Sequence, residues 1–448
     1  MVERTFHFEQ ALLPDGWAAD VRLSVDQGMI DAVQAGVAAG PGDKRHRVAL
    51  PGLPNLHSHA FQRAMAGLAE ASSSGDDSFW TWREAMYRFV ARLSPDHLRA
   101  IAALAYAEML ETGFTRVGEF HYLHHDRDGG RFADLAEMSL AIFDAAAETG
   151  IALTHLPVFY AHGDFGAIAP SEGQRRFVCD VDGYAGLLDR LRRPLSALPD
   201  AVLGVAPHSL RAVTLEELRA VTAGRQGPVH VHIAEQRREV EDCLAWSGMR
   251  PVEWLLGHVE VDPNWCLVHA THMTAAEAAG MAAANAVAGL CPITEANLGD
   301  GIFDGPAFPG RFGIGSDSNV LIDAIEELRL LEYGQRLATG RRNIMGGGPG
   351  RSTGGELYRR AVLGGGGALG AVSAIAPGPA DFVTLDMDHA SLAGRSEDAI
   401  LDGLIFAAGS RAIDGVWRRG RQVVAQGRHV DRDRIAARYR SVLAELLA

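Results

Sequence analysis

Cysteine is scarce in this chain. Its four residues, Cys179, Cys243, Cys266 and Cys291, are scattered through 448 positions with no C-x-x-C pair. That spacing excludes a zinc ribbon, a redox dithiol and a disulfide framework, and leaves buried free thiols in a reducing compartment. No stretch approaches 18 uninterrupted apolar residues, and the opening MVERTFHFEQ has no basic region ahead of an apolar one, so neither a membrane span nor a secretory leader is expected. Positive charge is also short: 42 Lys and Arg against 56 Asp and Glu leave a net charge of −14. Such a field opposes nonspecific binding to nucleic acid or to an anionic membrane. These absences predict a soluble cytoplasmic protein with neither partner, in which any anionic substrate must be attracted by local arginines.

Histidine, by contrast, is abundant, at 18 residues. Apolar β-branched runs alternate with Ala/Leu-rich amphipathic stretches, as in repeated βα units around a parallel sheet. Eight strand candidates are VALPGLPNL (48–56), TRVGEF (115–120), ALTHLPVFY (152–160), AVLGVAPHS (201–209), VHVHIAE (229–235), CLVHATH (266–272), AVAGLC (286–291) and FGIGSD (312–317). Helices are expected over 94–112, 132–149, 214–223, 274–284 and 324–337, the third opening on the capping-box spacing Thr214/Glu217. This pattern predicts a TIM-like (β/α)8 barrel over 50–375. Residues 1–49 and 376–430 read as antiparallel strands that join into a small β-sandwich domain, with a C-terminal helix at 431–448. The glycine-rich stretches 346–350 and 364–367 read as loops or helix joints. A barrel gathers its chemistry where the strands end at their C-terminal side. The candidate strands do end in polar residues: His57/His59, Glu119–Tyr122, His208, His232/Glu235, His269 and Asp317.

His57 and His59 are two apart on an extended segment, so both imidazoles face one side and can reach one ion. A bare H-x-H is often surface or packing. Here His230 and His232 repeat the alternation on a later strand, Glu235 follows, and Asp317 ends GIGSD. Imidazoles with a carboxylate suit Zn²⁺, with Fe²⁺ and Mn²⁺ as alternatives.

The segments PGLPNLHSHAFQRAMAG, HIAEQ, LVHATH, TEANLGDGIF and GIGSDSNV resemble the amidohydrolase superfamily, and most closely its formimidoylglutamate deiminase branch. The resemblance spans essentially the whole chain. It implies a distorted barrel with a β-sandwich, and one metal ion held by His57, His59, His232 and Asp317. His230 is then a residue deeper in the barrel, and His272 a loop residue. No lysine ends the fourth strand, so the carbamylated-lysine bridge of dinuclear members is absent. His269 matches the histidine that hydrogen-bonds the attacking water. Asp317 and His269 lie where either takes the first proton, and Glu235 matches the proton shuttle, unless it is a surface residue at a helix start.

The implied substrate is a small dianionic amidine, N-formimino-L-glutamate, hydrolysed to N-formyl-L-glutamate and ammonia in histidine degradation. Arg83 and Arg211 match the carboxylate partners, while Gln62, Tyr122 and His208 match contacts to the formimino and glutamyl portions. The plainer alternatives are helix-surface arginines and a packing tyrosine, with Arg63 as a competing arginine. His121, His124 and His125 read as a polar loop, and Trp80 and Trp82 as a lid or dimer surface of a homodimer. A nucleobase or S-adenosylhomocysteine-type deaminase on the same scaffold is the alternative. A catalytically inert scaffold would have no need of all four ligands, Glu235 and His269.

Overall fold

A computed structural model describes residues 4–71 and 78–448. Residues 1–3 of the expected N-terminal segment lie outside it. Eight barrel strands follow in chain order: β1 (Leu53–Ser58), β2 (Phe114–His121), β3 (Ala152–Phe159), β4 (Val202–Leu203, resumed at Ala206–Pro207), β5 (Val229–Ile233), β6 (Trp265–His269), β7 (Val287–Leu290) and β8 (Arg311–Ile314). They form a parallel sheet in the order β5-β6-β7-β8-β1-β2-β3-β4. β4 breaks at Gly204 and Val205, so it meets β5 only through the bridges Val205↔Val229 and Ser209↔His232. The opposite seam, between β8 and β1, is equally thin, with Ile314↔Asn55 and the bridge Ser58↔Asp317. The barrel is therefore least regular where candidate ligands emerge.

Four of the five expected helices begin at a side-chain cap, while the one expected over 132–149 starts only at Glu137, after Ala136, which offers no cap. Ser94 Oγ accepts the His97 N–H at 3.2 Å ahead of Pro95–Glu111, and Thr214 and Glu217 cap each other reciprocally at the start of Leu215–Thr222. Each such cap satisfies amide groups that have no partner within the helix.

The run at 48–56 is not one strand. It breaks at Gly52: Lys44–Pro51 joins a second sheet, and β1 starts the barrel. That second sheet is mixed and nine-stranded, and it is built from both parts of the chain. Lys44–Pro51 lies parallel to Arg4–Leu13 on one side and antiparallel to Phe382–Leu385 on the other. Side chains alternate across a strand, so this sheet feeds two cores. Phe6, Phe8, Ala49, Phe382 and Trp417 pack together on one face, while Val48, Leu50, Val383 and Leu385 join the barrel's core. The C-terminal helix runs Arg432–Leu447.

The glycines at 364–367 are neither loop nor joint but the last turn of the helix Thr353–Ala368. Glycine weakens a helix, and here close packing explains it: a Cβ on Gly364 would land on the Phe312 carbonyl of β8, and one on Gly365 against Pro54 of β1. Backbone meets backbone beneath the barrel. In an ordinary helix Gly→Ala stabilises by about 1 kcal/mol. Gly364→Ala should reverse that sign and cost about 3 kcal/mol in urea unfolding. Gly367→Ala, whose Cβ meets only the end of the Arg311 side chain, should be tolerated; equal effects of the two would refute the packing argument.

Candidate metal centre and substrate cleft

His57 lies on β1 and His59 just past its end. Asp317 is brought beside them by two backbone hydrogen bonds, Asp317 N–H to His57 O and His59 N–H to Asp317 O, both 2.9 Å. His232 comes from β5. The four ligand atoms lie within 4.8 Å of one another and all four residues are buried. His57 Nε2 is 3.2 Å from His59 Nε2 and 3.0 Å from His232 Nε2, and Asp317 Oδ1 is 3.4 and 3.2 Å from the Nε2 atoms of His57 and His59.

Hydrogen bonding decides which nitrogen each ring offers. His59 Nδ1 donates to Phe120 O at 2.9 Å and His232 Nδ1 to His208 O at 3.1 Å. Carbonyls only accept, so the Nε2 lone pairs of both rings face the centre. Burial pushes His57 down to about 3, and lowers His59 and His232 as well. Neutral imidazole lone pairs converging with a carboxylate are a poor hydrogen-bonding group and a good cation site, so these residues fit one divalent ion. His230 takes no part; its Nε2 donates to Ala368 O at 2.7 Å.

The turns that carry these residues are strained. Ala234, His269, Ala270, Asp317 and Asn319 all have positive φ, between 43° and 65°, a conformation that persists only where the surroundings enforce it. Several enforcing contacts come from residues to which no role was given in the sequence. Asn319 Nδ2 reaches Ser58 Oγ, His59 O and Asp317 O at 3.0–3.1 Å. Glu119 accepts from Ser58 Oγ, the Ala60 N–H and Tyr106 OH at 2.8–3.0 Å, and burial raises its carboxyl to about 8. Glu239 accepts the N–H groups of Ala234 and Glu235.

Glu235 is 5% exposed, which rules out a surface glutamate. Its Oε1 lies 3.6 Å from His269 Nε2, and Asp317 Oδ2 lies 3.9 Å from the same nitrogen. On the other side of that ring, Glu295 Oε1 is 3.3 Å from His269 Nδ1 and is itself fixed by the Cys291 N–H. Burial opposes a charge on His269, yet Glu235, Glu295 and Asp317 more than offset it and hold the imidazole well above its ordinary value. Burial lifts Glu235 to about 7 and, with the Glu235 charge, Asp300 to about 9. Asp300 Oδ2 is buried without a partner in the same cluster. Glu295 and Asp300 both belong to TEANLGDG, a segment visible in the sequence but with no regular period to mark which of its residues point inward.

A cleft of about 580 Å³, partly open to solvent, stands over the centre and is lined by His59, Gln62, Arg83, Tyr122, His208, Arg211, His232, Glu235, His269 and Asp317. Of the candidate site residues only His57 lies beneath it. Gln62 Nε2 donates to Tyr122 OH at 2.8 Å, leaving the buried Gln62 Oε1 unpartnered. Arg211 is 7% exposed, so it is not a surface arginine. Neither Arg83 nor Arg211 forms an ion pair among the described residues, and the Nε of each is buried without a partner. Arg63 is excluded from the role by its pair with Glu108 at 2.6 Å. Of the histidines 121, 124 and 125, the last two do lie in the loop after β2, but none faces solvent. All three are buried; His124 and His125 donate to Val158 O and Val178 O, and His121 ends β2 against His155. Tyr87 and Tyr160, passed over in the sequence, also line the cleft.

Loss of an outer contact typically costs 10–100-fold in metal affinity. Asn319→Ala should therefore weaken divalent-metal binding by about that factor in a chelator competition, and should also lower the unfolding midpoint of the metal-free protein, because buried acceptors lose their donor.

Comparison with known proteins bears on this arrangement. Residues 48–423 match the model of the Amidohydrolase family, and residues 3–47 that of the "Formimidoylglutamate deiminase HutF, N-terminal domain". A formimidoylglutamate deiminase of Pseudomonas aeruginosa is 51% identical over 98% of each chain, and an 8-oxoguanine deaminase of the same organism 27% identical over 91% of this chain and 89% of that one. The crystal structure of an amidohydrolase from Brucella melitensis superposes with a TM-score of 0.96 at 52% identity, over 99% of this chain and 100% of that one. An adenosine deaminase from Xanthomonas campestris with bound zinc shares the fold at a TM-score of 0.79 and 23% identity, over 99% and 98% of the two chains. The chain belongs to the amidohydrolase family, in its formimidoylglutamate deiminase branch.

Proposed function

We propose that this protein hydrolyses the formimino group of N-formimino-L-glutamate, giving N-formyl-L-glutamate and ammonia. The observation that carries the reading is the pair of cleft arginines, Arg83 and Arg211, without a carboxylate partner among the described residues and above a His/His/His/Asp centre. A buried guanidinium left uncompensated is costly, and a dicarboxylate supplies two bidentate partners. A neutral nucleobase would leave both charges unpaired, which disfavours the nucleobase-deaminase alternative.

In this reading the cation is zinc, as in the related adenosine deaminase structure, and it supplies water acidified into the neutral range. Hydrolysis moves two protons from the water oxygen to the departing nitrogen. Glu235 carries the first: its carboxylate accepts a proton from the attacking water and returns it to the amidine nitrogen, a task suited to a carboxyl near 7. Asp317, besides binding the ion, accepts the second proton as the C=O bond forms, through the side of its carboxylate that faces His269, and gives it up to the departing nitrogen, which leaves as ammonia. His269, turned by Glu295, presents Nε2 to the attacking oxygen and orients it. Gln62, Tyr122 and His208 hold the formimino and glutamyl portions, and Arg83 and Arg211 the two carboxylates. Burial, followed by the charge of Arg211, keeps His208 neutral.

Ammonia release by metal-analysed protein on N-formimino-L-glutamate, beside guanine, cytosine and N-formimino-L-aspartate, tests the assignment; turnover of a nucleobase with silence on the formimino substrate overturns it. Glu235→Gln should lower kcat by about 10²–10⁴-fold with bound metal unchanged. Arg83→Met should raise KM for the glutamate derivative, again with metal retained, and loss of metal in that variant would show the arginine to be misplaced.

A further inference from the structure

Three guanidinium groups from three elements gather around one indole. The centroid of Trp80 lies 4.5 Å from the Arg83 guanidinium, 4.6 Å from that of Arg238 and 5.8 Å from that of Arg211. Trp80 and Arg83 share the helix Phe79–Val90 after β1, Arg211 stands in the loop after β4, and Arg238 lies in the first turn of the helix Arg237–Ser247 after β5. Arg238 is exposed and pairs with Asp242 at 3.4 Å; Arg83 and Arg211 form no ion pair among the described residues, and Arg211 feels the Glu239 and Glu235 carboxylates only without direct contact.

Three like charges so close repel one another unless something favours cations at that place. A carboxylate would do so by neutralising them, and would then compete with an anionic substrate. An aromatic face attracts a cation through its quadrupole and leaves its net charge intact. The ring thus compensates part of the cost of desolvating the arginines and preserves their charge for an incoming anion. Trp80 itself does not line the cleft, so it acts on the substrate only through the arginines.

We propose that Trp80 is the positioning residue of an anion clamp, its indole holding Arg83 and Arg211 ready for the two carboxylates of a glutamate-type dianion, with Arg238 on the same ring as the outer cation that draws the dianion in. This rests on the function proposed above and adds three elements to it: what holds the arginines, why they lack ion pairs, and a third arginine.

The test uses metal-loaded full-length enzyme and reads both catalysis and binding of glutarate, a dicarboxylate with nothing to hydrolyse. Trp80→Leu, which keeps apolar bulk without a π face, should raise KM for N-formimino-L-glutamate and Kd for glutarate by about tenfold, the scale of losing two cation–π contacts, while kcat changes by less than about twofold. Trp80→Phe should recover most of that loss. Arg238→Gln, an exposed substitution, should lower kcat/KM several-fold at low ionic strength and abolish most of its salt dependence. Wild-type affinity for glutarate in folded Trp80→Leu overturns the proposal, as does a fall in kcat with KM unchanged, or equal damage from Leu and Phe. If Trp80→Leu fails to fold, an unaltered salt dependence in Arg238→Gln overturns it instead. Wild-type enzyme whose affinity for glutarate depends on Trp80, yet which releases no ammonia from N-formimino-L-glutamate, would refute the assigned reaction and leave the clamp standing.

Discussion

Two backbone hydrogen bonds, from Asp317 N–H to His57 O and from His59 N–H to Asp317 O, join the last barrel strand to the first. They close the cylinder and, with the same contact, bring a carboxylate against a pair of imidazoles encoded some 260 positions earlier. Asn319, Ser58 and Glu119 surround this contact, and their hydrogen bonds go to the turns that carry the ligands rather than to the ligand side chains. A break in the barrel at this seam would therefore be a break in the metal centre.

Around that seam the protein keeps charged groups in an interior where charge is expensive. His269 is encircled by Glu235, Glu295 and Asp317, whose carboxylates favour a charge on its ring against the cost of burial. The cleft arginines Arg83 and Arg211 are treated differently, with an aromatic face and no direct ion pair among the described residues. In the proposed reaction the carboxylates around His269 move protons, while Arg83 and Arg211 meet the substrate's own carboxylates, with Glu239 and Glu235 near enough to favour the Arg211 charge.

The alternation of apolar runs with amphipathic stretches was enough to read the barrel, because period 2 and period 3.6 are local properties of a chain. The H-x-H pairs and Asp317 were legible for a related reason: strand geometry turns sequence spacing into direction. His57 and His59 belong together on that ground alone, whereas choosing His232 over His230 needed the resemblance. Glu295, Glu239, Asn319 and Asp300 were missed because their partners reach them only after folding; Glu239 and Glu295 lie in short helices and Asn319 and Asp300 in turns, and no period marks which of them point inward. The helix Thr353–Ala368 shows the opposite failure. Its glycines read as a loop since their local preference is against helix, and only the proximity of β8 and β1, absent from the linear sequence, explains them. The run at 48–56 does carry a local sign of its break, Pro51-Gly52 followed by Pro54, but its continuous apolar character outweighed it.

The mixed sheet has a temporal consequence. Lys44–Pro51 receives Arg4–Leu13 early in synthesis, but its other edge waits for Phe382–Leu385, which leaves the ribosome only after the whole barrel. Throughout that interval a nascent chain displays an unsatisfied row of strand amides, the kind of edge that recruits other chains. Lys44, Arg45 and Arg47 are exposed on that strand. Cationic side chains on an open edge repel a second copy of the same strand, so the residues that look like ordinary surface charge in the finished molecule act as guards of an unfinished one.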